Sequence, residues 1–72
     1  MEKDFSKLIG RIAEKFGTRT AFCNDLGKTP EWLSRRLNGQ TEFGSDDIIE
    51  VTKVLEIDPR DIGVYFFTLK VR

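Results

Sequence analysis

The chain has no histidine, a single cysteine, and no net charge, twelve basic residues being balanced by twelve acidic ones over 72 residues. Each absence removes a class of function. Without histidine, and with Cys23 unable to pair internally, neither a disulfide framework nor an ordinary zinc site is available, and the expected setting is a reducing cytosol. No apolar run approaches the roughly 18 residues of a membrane span, and Met1, Glu2, Lys3 and Asp4 lack the basic start of a signal peptide. The expectation is a cytoplasmic protein with no membrane contact. There is no histidine base and no glycine-rich phosphate loop. Cys23 falls beside Phe22 in a short helix, where it reads as a small core residue rather than a nucleophile. The expectation is no enzyme and no cofactor.

The composition is 39% hydrophobic and 33% charged, as in folded domains and unlike disordered tails. The length allows one small domain, residues 1–72, burying about 60% of its unfolded surface. The neutral charge hides an uneven distribution. Residues 18–39 sum to +2, whereas residues 40–62 hold seven carboxylates against Lys53 and Arg60, a net −5.

Boundary residues predict five helices and no competing strand pattern. Phe5, Leu8, Ile9, Ile12, Ala13 and Phe16 recur at helical spacing, with Arg11 on the solvated side, and Gly17 ends that helix. Thr18 caps a second helix, with Ala21, Phe22 and Leu26 inward and Gly27 closing it. Thr29 and Pro30 open a third, with Leu33 and Leu37 buried and Asn38 and Gly39 at its end. Ser45 is the expected cap of a fourth, whose first turn carries Asp46 and Asp47 and whose core candidates are Ile48, Ile49, Val51 and Leu55. Asp58 and Pro59 open a fifth, with Ile57 and Ile62 at the positions of a hydrophobic staple. The aromatic segment 64–72 lacks a cap and reads as a helix end followed by an extended tail.

Residues 18–39 therefore follow the helix-turn-helix plan: a short helix, the connection Gly27, Lys28, Thr29, and a second helix with a polar outer face. Several stretches, Phe5-Ser6-Lys7-Leu8, Lys15-Phe16-Gly17-Thr18, Leu26-Gly27, Leu33-Ser34, Leu37-Asn38 and Phe66-Phe67, resemble small Cro-like regulators of temperate phages of Gram-positive bacteria. Within that group the chain is most similar to the modulator-of-repression antirepressors of lactococcal phages. The resemblance implies an all-α, five-helix, lambda-repressor-like domain that acts in the choice between lysis and lysogeny. It also implies a partner, the N-terminal DNA-binding domain of the phage repressor, whose operator binding is blocked.

Two readings of that scaffold stand side by side. As a Cro-like reader of operator DNA, it would use Arg19, Thr29, Glu31, Ser34, Arg35 and Arg36, the arginines for phosphate or guanine. Glu31 near the start of the recognition helix disfavours phosphate, and arginines on a surface are ordinarily just solvated. As an antirepressor, it would use aromatic anchors and carboxylates: Trp32, Phe43, Tyr65, Phe66 and Phe67 with Asp46, Asp47 and Glu50. Trp32 lies about 100° round the helix from Leu33 and so off the buried stripe. The expectation is that Trp32 and Tyr65 remain partly exposed, that Phe43 packs under the fourth helix, and that Phe66 or Phe67 closes the bundle. Carboxylates at helix starts are also explained by the helix dipole alone.

Overall fold

Phe5, Leu8 and Ile12 recur at helical spacing, and in the structure, a computed structural model that describes residues 2–71, Leu8 and Ile12 form the buried face of α1 (Ser6–Phe16). Ala13, expected on that face, is exposed, because a helix packed on one side has room for a stripe only about two residues wide per turn. Asp4 starts the helix by accepting from the Ser6 N–H at 2.8 Å and from the Ser6 hydroxyl, bonds that hold its carboxyl below the usual value.

The next two helices begin as their residue types dictate. Thr18 accepts from the Ala21 N–H at 3.1 Å to cap α2 (Arg19–Leu26), and Thr29 accepts from the Trp32 N–H at 3.2 Å to cap α3 (Pro30–Leu37). Between them Gly27 has φ +78°, a left-handed conformation that only glycine adopts without strain. That turn sets α3 across α2 and completes the helix-turn-helix.

α4 (Ser45–Val54) starts differently from expectation. Ser45 is its first helical residue and Gly44 occupies the cap position, with its N–H donating to Asp47 Oδ2 at 3.0 Å. A carboxylate at the third helical position reaches back to the free N–H, so the serine hydroxyl is not needed. The expected fifth helix is in two pieces: a 3-10 turn, Pro59–Asp61, capped by Asp58, which accepts from the Arg60 N–H at 2.9 Å, and then α5 (Ile62–Phe66). Asp61, with φ −99° and ψ 2°, breaks the α geometry between them.

α1 packs on α2 and α5, and α2 on α3 and α4. Their shared core is built from Leu8, Ile12, Phe22, Cys23, Leu33, Val51, Leu55 and Phe66. Burial raises the Cys23 thiol above its ordinary pKa, so it packs as an apolar group. After α5 the chain extends back beside its own start, where Leu69 forms an antiparallel bridge with Lys3. No helix among the described residues is long and apolar enough to cross a membrane.

Candidate partner-binding surface

The aromatic residues singled out above separate into a buried set and an exposed one. Phe43 packs edge-on against three rings, Phe5 at 5.5 Å, Trp32 at 6.1 Å and Phe66 at 5.3 Å between centroids. It therefore sits between α3 and α5 rather than under α4. Phe66 is only 2% exposed and closes the bundle, whereas Phe67 is 52% exposed. Trp32 and Tyr65 rest on the core and remain partly exposed, whereas Phe67, not singled out as an exposed ring, is more open than either. The loop sets how far Trp32 is covered, because Phe43 folds back against α3 and meets the indole edge-on.

Two cations also lie against the Trp32 ring. The Arg36 guanidinium lies 4.3 Å from the ring centroid and Lys28 Nζ 5.5 Å from it. Arg36 Nη1 also donates to the Trp32 carbonyl at 3.1 Å. Its Nε is buried without a well-aligned acceptor and faces Asp47 Oδ2 at 3.4 Å. Since the same carboxylate oxygen caps α4, one chain of contacts runs from Lys28 through Trp32, Arg36 and Asp47 to Gly44. Arg36 and Asp47, which sequence reasoning assigned to DNA and to a protein partner respectively, thus engage each other and fasten α3 to α4.

The outward faces hold the remaining candidates. On α3, Glu31, Ser34 and Arg35 are exposed; Ser34 Oγ takes a long bond of 3.4 Å from Asn38 Nδ2, and Thr29 is committed to its cap. Arg19 is exposed at the start of α2. On α4, Asp46 and Glu50 are exposed, and between them stands Ile49, 51% exposed, which had been expected in the core. Ile48, Val51, Thr52 and Leu55 fill the inward stripe of α4, and position 49 is about 100° off it. That offset was the signal in the sequence for an exposed isoleucine. An apolar side chain flanked by Asp46, Glu50 and Lys53 has the make-up of a small interface core with a charged rim.

The DUF739 family, described as a protein of unknown function, matches residues 1–69. The chain belongs to this family. A solved structure, the solution structure of the modulator of repression of the temperate bacteriophage TP901-1 from Lactococcus lactis, is 39% identical to this DUF739 member. It covers 100% of this chain and 97% of its own, with a TM-score of 0.83. The resemblance read from the sequence to phage modulators of repression and the five-helix all-α fold both hold. No curated protein matches the chain significantly.

Proposed function

We propose that this protein is a phage antirepressor of the lysis–lysogeny switch, acting in the host cytoplasm as one unit, residues 1–72, by binding the N-terminal DNA-binding domain of the phage repressor and blocking its hold on the operator. The observation that carries the reading is the likeness, end to end and at 39% identity, to a phage modulator of repression.

The surface supports it. Asp46 and Glu50 flank the exposed Ile49 on α4, in the part of the chain whose net charge is −5, so this face attracts a basic DNA-reading surface and offers it an apolar anchor. The half-buried Trp32, tied to α4 through Arg36 and Asp47, adds a rigid edge to the same region. Operator DNA read by the chain alone is the second reading, favoured by the exposed Arg19 and Arg35. Against it, Arg36 is engaged with Trp32 and Asp47, and the exposed Glu31 repels phosphate.

A gel shift with operator DNA, the cognate repressor and this protein separates the two. The antirepressor reading expects the repressor-dependent band to be released or altered as this protein is added, and no sequence-specific band from this protein alone. A sequence-specific band without repressor, weakening steeply as salt rises, establishes the DNA-reading alternative instead.

A further inference from the structure

The end of the chain carries exposed apolar surface, most of it outside the residues expected to meet the repressor. Among the described residues, the exposed large hydrophobic side chains other than Ile49 are Val64, Phe67, Leu69 and Val71, at 40%, 52%, 46% and 94% exposure. The last two lie on a short extended segment paired with the chain's start. Asp4 N–H donates to the Thr68 carbonyl at 2.7 Å and Lys70 N–H to the Glu2 carbonyl at 2.9 Å, on either side of the antiparallel pair Lys3 and Leu69. In that arrangement the N–H and C=O of Leu69 itself point away from Lys3. Neither has a backbone partner among the described residues. Native sheet edges are usually blunted by lysine, proline or a bulge, yet the centre of this one is a leucine, followed on the same face by Val71.

We propose that this edge pairs antiparallel with the same edge of a second copy of the chain, with Leu69 on the two-fold axis. The two Leu69 residues exchange both of their free backbone hydrogen bonds, which is the hydrogen-bonded pairing their outward geometry presents. In this register Lys70 faces Thr68 of the second copy, and Val71 comes beside its Phe67. Charge favours a copy of the chain over a strongly charged partner. The segment's charged side chain, Lys70, is already paired with Glu2 at 3.3 Å, no like charges meet, and the net charge of zero gives no long-range repulsion between copies. The contact involves neither the outer face of α3 nor that of α4 and shares only Phe67 with the residues expected to meet the repressor, so the oligomeric state is read without any repressor present.

Sedimentation velocity on the full chain tests the pairing. The surface is smaller than a permanent interface, so the mass should double at concentrations on the order of 0.1 mM, within a range of roughly 10 µM to 1 mM. Leu69→Lys places two ammonium groups at the axis and should remain a monomer throughout with an unchanged helical circular dichroism spectrum. Val71→Lys, at a residue 94% exposed, should shift the doubling to higher concentration. Mixing Leu69→Lys with Leu69→Glu should restore the doubled mass. A wild-type chain that stays monomeric to 1 mM, a dimer that persists unchanged in Leu69→Lys, or a mixture that fails to recover it each overturns the proposal.

Discussion

Arg36 joins the helix-turn-helix to the acidic helix, and Asp47 is the group it joins to. Its side chain is only 14% exposed, and its charge is met by the indole face of Trp32, the Trp32 carbonyl and the Asp47 carboxylate. Asp47→Ala removes the α4 cap and leaves that guanidinium with less compensation, so urea denaturation should show a loss of about 1–3 kcal/mol. Asp46→Ala, at an exposed neighbour, should change stability by less than about 0.5 kcal/mol while weakening repressor binding. Thr52 gives the opposite sign. It is 8% exposed, and its hydroxyl has no hydrogen-bond partner among the described residues. Thr52→Val keeps the shape and removes an unsatisfied polar group, so the same denaturation assay should report a gain of about 1 kcal/mol. At this scale the sequence disclosed which residues matter better than what they do. Trp32, Arg36 and Asp47 were all singled out, but their mutual engagement depends on how a loop folds over α3, which no local spacing encodes.

Helix ends tell a more legible story. α2, α3 and α4 stop in the same way, with a left-handed residue just past the end and a following N–H reaching back five residues: Lys28 to Cys23, Gln40 to Arg35 and Ile57 to Thr52, each at 2.9 Å. The left-handed residue is Gly27 in the first, Gly39 in the second and Glu56, with φ 53°, in the third. Glycine announced the first two ends in the sequence, and the glutamate hid the third. Arg11 helps to hold that third end, donating from Nε to the Leu55 carbonyl at 2.9 Å, and Lys15 pairs with Glu56 at 3.1 Å. Helical spacing alone puts Arg11 on a solvated face and gives no sign of this bond, since its partner lies 44 residues away. Because a side chain in the left-handed region is strained, Glu56→Gly should raise the thermal midpoint, with a gain of about 0.5–1 kcal/mol after the entropy of the added glycine is deducted. A loss of stability would mean that the Lys15 pair outweighs the strain. The helix-turn-helix itself was readable because every signal that makes it, Thr18, Gly27, Thr29 and Pro30, acts on backbone within a few residues. The fifth helix was not, because Asp58, Pro59 and Ile62 signal a helix start equally well for a 3-10 turn and for an α-helix.

Over the whole molecule two long-range features shape the surface, and the sequence exposed one of them. Charge segregation survives folding as a property of composition: the acidic residues 40–62 run from the loop before α4 through α4 to the start of α5, and Asp46 and Glu50 remain at the surface beside Ile49. The pairing of residues 2–4 with 68–70 was invisible, since neither segment carries a strand pattern of its own and each supplies the other's hydrogen bonds. The proposed function turns a helix-turn-helix scaffold towards a repressor's DNA-reading domain. Isothermal titration of this protein into the isolated N-terminal domain of the cognate repressor, first without DNA and then with excess operator, tests it most directly. Saturable binding is expected in the absence of DNA, weakened by Asp46→Ala and by added salt, and suppressed when the operator occupies the domain. Absence of binding to that domain, or equal binding with its operator already in place, would contradict it.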